Sequence, residues 1–489
     1  MSDKVSLGKL ATGVPGLDIL LGGGLNEFSF NLITGAPGCG KTTLAHQIMF
    51  SLATTERRAL FFTVLGEPPL KMLRYQQQYS FFDMEKVGTA IRYVNLAADL
   101  RAGDFSGVLE RITKEVEDFA PSLVFVDSFR SVIQTGKPGI EGMSDLQYFV
   151  QELGTRMTSW MATTFLIGEY QKSEIEANPI MTVADGTLAL SQNHDQNAVV
   201  RKIRVVKMRG QAHMAGSHTF RITDAGLRIY PRLLPPLASD HRAGMEVDRE
   251  PRRIPTGIPG LDELLHGGLP QGHSLLALGP TGCGKTIMGS KFLQAGVERG
   301  ENGVIMLFEK GTSRLRNAEL AAMVQSGRVG VVETRYIDMT AEEFEDDLLV
   351  AIDRIGARRV VIDSLSEFSL YLAPECRRDL REAVFRILTS LAKKGVTVLV
   401  TVGLDDRSLD MNSARADLAY LTDALVAMRY AEVDGHVKRY MSVVKVRGSD
   451  HSHDLREYRI TDEGIEVDAL PAPVSGVMYG RVDSVISAD

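Results

Sequence analysis

The chain has 489 residues, room for two or three domains, and its 44% hydrophobic and 24% charged content is that of a globular protein with a full core. A net charge of −7 argues against a dedicated nucleic-acid binder and leaves only a local basic channel open. No apolar run approaches the ~18–20 residues of a membrane span. The first residues lack the apolar centre of a signal peptide, and three cysteines form no disulfide framework. A cytoplasmic protein without a membrane partner is expected.

In chain order, the first marked stretch is Thr12-Gly13-Val14-Pro15-Gly16-Leu17-Asp18. An apolar run, Phe30 to Ile33, follows and predicts a strand. Next comes Gly35-Ala36-Pro37-Gly38-Cys39-Gly40-Lys41-Thr42, which fits G-x-x-x-x-G-K-[ST], and a predicted helix from Thr43 to Leu52. Strand, glycine loop and helix start make a phosphate site. Backbone N–H groups of Gly35, Gly38, Cys39, Gly40 and Thr43 turn inward around the β-phosphate. Lys41 reaches the β- and γ-phosphates, and the Thr42 hydroxyl ligates Mg²⁺. Cys39 reads as a small loop residue rather than a redox sensor, because no second thiol is near in sequence.

Ala59 to Leu65 predicts the next strand, Pro68 to Tyr79 a helix that opens on proline, and Phe105 to Phe119 another helix. Leu123-Val124-Phe125-Val126-Asp127-Ser128 is a short apolar strand ending in an acid, the Walker B position, where Asp127 would hold Mg²⁺ directly or through water. A helix from Glu141 to Trp160 and a strand from Thr164 to Glu169 follow. Alternating strands at 187–190, 199–208 and 218–222 then suit antiparallel additions to a parallel sheet. Lys207 and Arg209, two apart on a strand, share one face just before Gly210. In ring ATPases such cations reach the γ-phosphate held by the neighbouring subunit, which requires a homo-oligomer.

Nearly all of this is written twice. Thr256-Gly257-Ile258-Pro259-Gly260-Leu261-Asp262 lies 244 residues after its first copy. At the same offset comes a second phosphate loop, with Gly279, Thr281, Gly282, Cys283, Gly284, Lys285, Thr286 and Ile287 as its binding residues. Asp363 repeats the metal acid. Lys445 and Arg447 repeat the cation pair, now 238 residues on. The expected fold is therefore α/β, two tandem RecA-like P-loop domains. Each is a mainly parallel sheet with helices on both faces and extra antiparallel edge strands. The domains are placed at 1–234 and 254–470. A proline- and charge-rich linker at 235–253 joins them, and a loosely ordered tail at 471–489 ends the chain. Hydrolysis also needs a group that orients water, and the acids after the second strand, Glu67 and Glu309, are the candidates.

With these residues in view, the chain resembles the KaiC family of circadian-clock ATPases along nearly its whole length. The matching pieces are T-G-[VI]-P-G-L-D, both phosphate loops, V-D-S and I-D-S, Leu315-Arg316-Asn317-Ala318, K-x-R-G and R-I-T-D-x-G in each half. The resemblance implies two stacked rings, a hexamer with ATP between neighbouring subunits. It also implies slow hydrolysis in the first ring and phosphorylation of a Ser-Thr pair in the second. Two departures stand out. Clock members carry paired glutamates where this chain has Gly66-Glu67 and Glu309-Lys310. At the two phosphosite positions before Thr422-Asp423 it has Ala419 and Tyr420. An ATPase outside the core oscillator is expected, read by an unknown regulatory partner. A non-hydrolysing ATP switch is the alternative. A DNA-dependent motor would need basic pore loops after Asp127 and Asp363. There, Arg130, Lys137, Arg377, Arg378 and Arg381 are scattered among acids such as Glu141 and Glu375.

Overall fold

A computed structural model describes residues 8–63, 69–101, 105–128, 140–169, 180–196, 198–232, 252–308, 318–334, 337–404, 420–433, 435–472, 474–475 and 483–485. The chain divides into two compact units, 1–232 and 233–489. Glu67, Glu309, Ala419 and the loop after Asp127 lie outside the described residues.

The first unit is built on a nine-stranded sheet. Its strands are β1 (Phe30–Gly35), β2 (Ala59–Thr63), β3 (Ile91–Asn95), β4 (Leu123–Asp127), β5 (Thr163–Gly168), β6 (Gly186–Asp195), β7 (Ala198–Met208), β8 (His218–Thr223) and β9 (Gly226–Tyr230). The spatial order is β3-β2-β4-β5-β1-β6-β7-β8-β9. Pairing is parallel from β3 through β6 and antiparallel beyond.

The second unit repeats this order with β10 (Ser274–Pro280), β11 (Asn302–Leu307), β12 (Val329–Glu333), β13 (Ala357–Asp363), β14 (Thr397–Leu404), β15 (Ala424–Val433), β16 (His436–Val446), β17 (Arg456–Thr461) and β18 (Gly464–Val467). These are the two tandem RecA-like α/β domains that the duplicated motifs predict.

The central strands are buried on both faces, which is why they read as continuous apolar runs. Period-2 alternation splits each strand between two cores. Ile33, Phe61, Phe125 and Phe165 pack with helix α1 (Lys41–Leu52), whereas Leu32, Phe62, Val126 and Leu166 pack with α2 (Phe105–Phe119) and α3 (Ile140–Ser159). Across the first face the rings of Phe61, Phe125 and Phe165 stack at 5.9 and 4.6 Å. In the second unit, α4 (Lys285–Glu298) covers one face. The other is covered by α5 (Ala341–Ile355) and α6 (Leu380–Lys393).

The repeated T-G-x-P-G-L-D stretch is a structural clamp. Asp18 Oδ1 accepts from both the backbone N–H and the hydroxyl of Thr12 at 2.8 Å, and Asp262 does the same for Thr256 at 2.7 and 2.8 Å. Within the tail, Val474–Ser475 and Asp483–Val485 pair as short antiparallel strands. Only a pair of valines backs that pairing, too short a pattern to show as periodicity. Among the described residues no helix is long and apolar enough to cross a membrane.

Candidate nucleotide-binding sites

Both phosphate loops leave the carboxyl end of the central strand, β1 or β10, and run into the first turn of α1 or α4. That is where α/β sheets place their ligands, and helix starts present unpaired N–H groups there. Glycine is required at the loop for two different reasons. Gly40 and Gly284 hold φ of 102° and 100°, a left-handed conformation, as the residues capping the two helices. Gly35 lies so close to β6 that a Cβ would stand 2.2 Å from the Leu190 carbonyl oxygen. Cys39 and Cys283 are buried under their loops, and burial pushes both thiols up, so neither is a reactive thiolate.

The chemistry-bearing groups converge across strands distant in sequence. The Thr42 hydroxyl donates to Asp127 Oδ2 at 2.6 Å, and that of Thr286 to Asp363 Oδ2 at 2.9 Å. Lys41 Nζ donates to the Ala36 carbonyl at 2.8 Å, and Lys285 Nζ to those of Gly279 and Pro280 at 2.8 and 2.7 Å. In the first unit an open cleft of about 390 Å³ is lined by Gly38, Gly40, Lys41, Thr42, Thr43, Asp127 and Glu169, among others.

The duplicated sites differ at the acid. Asp363 accepts a second hydrogen bond, from the Thr401 hydroxyl at 2.5 Å, because β14 lies beside β13 in parallel register. In the first unit Asp127 faces Ile167 at that place on β5, which has no donor. Burial pushes the Asp127 carboxyl up to about 6, against the opposing effects of Thr42 and Lys41. The first unit also carries Glu169, whose carboxylate is 3.9 Å from Lys41 Nζ. Glu169 and Thr401 were not recognised as site residues from sequence. The available signals were an acid closing β5 and a lone threonine within the apolar run of β14.

His46 marks another difference. It is fully buried on α1, 4.4 Å from the Phe61 ring, and its Nδ1–H donates to the Thr42 carbonyl at 2.8 Å. A carbonyl only accepts, so Nδ1 carries the proton, and Nε2 has no partner among the described residues. Burial lowers the imidazole from 6.5 to about 4. The fold therefore holds the neutral ring, and its contribution to stability is complete above pH 6.5 and lost as pH falls towards about 4. Urea unfolding at about pH 7 and about pH 5 should show the wild type losing ~2 kcal/mol more than His46→Ser, since the slope of ~1.4 kcal/mol per pH unit acts only below pH 6.5. Serine is what the second unit has there, Ser290, bonded to the Thr286 carbonyl. An equal loss in the variant would remove His46 as the cause.

Lys207 and Arg209 are not brought to the P-loop of their own unit. Lys207 on β7 faces Thr187 of β6, and Thr187 pairs with Leu32, at least ~10 Å along β1 from Gly35. Lys207 Nζ donates to Met181 O at 3.0 Å, and Arg209 Nη2 to Thr182 O at 2.6 Å. Lys445 donates to Thr422 O at 2.6 Å, and Arg447 to the carbonyl of Tyr420. Desolvation, then the neighbouring arginine, lowers both lysines.

The groups present fit a magnesium nucleotide: a lysine at the mouth, a hydroxyl–carboxylate pair, open space before Gly38, and Thr63 Oγ1, buried in the same cleft wall without a partner among the described residues. Fold and sites together define a tandem P-loop ATPase of the RecA type. The KaiC ATPase family model matches residues 10–233 and 254–472, and the chain belongs to that family. It is 26% identical over 492 residues to the circadian clock oscillator protein KaiC of Thermostichus vulcanus, covering 96% of this chain and 91% of the relative. It is similarly 26% identical over 494 residues to the circadian clock protein KaiC3 of Synechocystis sp., covering 96% and 94%.

Proposed function

We propose that this chain is an ATP-binding and ATP-hydrolysing hexameric ring protein with a regulatory role in the cytoplasm. In this reading its domains are 1–234 and 254–470, with a linker at 235–253 and a tail at 471–489. The observation that carries the reading is the hydroxyl–carboxylate pair beside a P-loop lysine, Thr42 with Asp127 and Thr286 with Asp363, found in both units. Lys41 and Lys285 would exchange their loop carbonyls for β- and γ-phosphate oxygens, a stronger charge-assisted bond. Backbone N–H groups of Gly38 to Thr43, and of Gly282 to Ile287, cradle the β-phosphate. Thr42 and Asp127, and in the second unit Thr286 and Asp363, hold Mg²⁺. When bound, the ion neutralises charge on the β- and γ-phosphates. Glu67 and Glu309 orient the attacking water.

The four cations Lys207, Arg209, Lys445 and Arg447 serve the nucleotide of a neighbouring chain. This is supported by the position of Lys207 at the sheet end away from its own phosphate loop. Self-phosphorylation in the manner of the clock members is left out of this reading. Ala419 has no hydroxyl, and Tyr420 extends its oxygen further than serine does.

The test is incubation with γ-³²P-ATP and Mg²⁺, following released phosphate and label on the chain together. Phosphate without a labelled chain is expected. A labelled chain would establish an autokinase step, and bound ATP with neither signal would replace hydrolysis by a non-hydrolysing switch. Glu67→Gln and Glu309→Gln should each slow turnover at their own site by ~10²-fold, the scale of a positioned acid–base group, without loosening the ring. Unchanged turnover in the double variant would remove both from the mechanism.

A further inference from the structure

The second unit has a cavity at the opposite end of its sheet from the phosphate loop. It encloses about 400 Å³ and is walled by Arg252, Arg299, Arg358, Glu301 and Gln271, among others. Arg358 lies at the start of β13, whereas Asp363 ends that strand, ~17 Å away at 3.3 Å per residue. The cavity is therefore separate from the nucleotide site.

Its charge is unbalanced. Among the described residues Glu301 is the one carboxylate on the wall, and it is already engaged by Arg359, whose Nε donates to Glu301 Oε2 at 2.8 Å. Arg252 stands 3.6 Å from the other Glu301 oxygen. Among the described residues neither Arg299 nor Arg358 has an ion-pair partner. Three arginines from three separate elements thus line one space with a single carboxylate between them, and Arg358 Nη1 spends one donor on the Lys394 carbonyl at 3.4 Å, which leaves donors of Arg299 and Arg358 available to an anion.

The support beneath is built for this. Arg359 is 1% exposed, and its Nη1 donates to the carbonyls of Pro255 and Phe292, both at 2.8 Å. Its Nη2 has no partner among the described residues. Room for it comes from Gly296, where a Cβ would lie 2.6 Å from the Arg359 side chain.

The internal repeat supplies the control. The strand registers on either side give the matching residues of the first unit. Gly8, Thr55 and Ser122 stand where the second unit has Arg252, Arg299 and Arg358. Leu52 and Leu123 stand for Gly296 and Arg359, and Arg57 for Glu301. In the first unit Leu52 and Leu123 are both buried in one apolar core. The second unit has there a glycine and a buried arginine whose carboxylate partner, Glu301, is partly exposed, and burying a charge in this way seldom adds stability over apolar packing. Six positions differ together around one cavity.

We infer that this cavity is a second anion site, specific to the second unit, for a small phosphate-bearing molecule of about the size of pyrophosphate. Guanidinium forks match phosphate oxygens bidentately, and Gln271 adds an amide donor at the wall. The inference does not rest on hydrolysis at the P-loops.

The test is equilibrium dialysis of the full chain with ³²P-pyrophosphate, after both P-loops are saturated with a non-hydrolysable ATP analogue and Mg²⁺. One pyrophosphate per chain beyond the nucleotide is expected. Arg299→Ala with Arg358→Ala should weaken it at least ~10-fold, the scale of one lost charge-assisted contact, with nucleotide stoichiometry and ATP turnover unchanged. Both side chains are exposed, so the fold tolerates their loss. Failure to bind pyrophosphate, or equal binding by the double variant, would overturn the site. Equal affinity for an oligoglutamate peptide would overturn the phosphate assignment and make the cavity a dock for an acidic protein segment.

Discussion

Lys41→Met together with Lys285→Met should reduce ATP affinity by at least ~100-fold, more than any other pair of substitutions short of unfolding the chain. Lys41 is 7% exposed, and its ammonium already points into the loop, held by the Ala36 carbonyl. Phosphate oxygens that enter the cradle lose water, and the lysine replaces it with a charge-assisted bond at low dielectric. Methionine keeps the packed stem and removes only the charge, so lost affinity would not reflect a collapsed loop. Titration with a fluorescent ATP analogue reads the result. The single variants should each remove one of two sites per chain. If two sites survive in the double variant, the glycine loops are not where the nucleotide binds.

Arg209→Ala and Arg447→Ala should each lower turnover at one set of sites by ~10³-fold, the lower range for a cation supplied from a neighbour. They should also weaken ATP-dependent assembly, read by sedimentation with and without nucleotide. Both arginines are more than half exposed. Their ion pairs to Asp185 and Asp423 are long, at 3.4 and 3.9 Å, and surface pairs of that kind contribute little stability. The isolated chain should therefore melt normally. Mixing separates a trans role from an indirect one. Arg209→Ala chains combined with Lys41→Met chains should recover first-domain activity, because some interfaces then pair an intact loop with an intact arginine. Mixtures no more active than their parts would sink the trans assignment.

Contiguous features of this molecule were legible in its sequence. The phosphate loops, the acids ending β4 and β13, the parallel core and the duplication each rest on a run of neighbouring residues, and the helix predicted over 105–119 has those bounds in the structure. Features that depend on which strands become neighbours were not legible. Glu169 closes an ordinary strand until β5 is placed beside β1 and its carboxylate approaches Lys41. His46 reads as one more helix residue until burial against Phe61 removes its charge.

What the sequence by itself determined is the class of protein, since glycine spacing, the lysine–threonine pair and strand-end acids are local chemistry, and the same order occurs twice. What only the tertiary structure decided is how the two copies differ. Thr401 reaches Asp363 whereas Ile167 leaves Asp127 with one donor, and the second unit lines a cavity with three arginines that the first unit does not repeat. The physical reason is the crossover connection. It makes neighbours of strands far apart in the chain, so the environment of a carboxylate or a guanidinium is set by register across the sheet and not by the residues beside it in sequence.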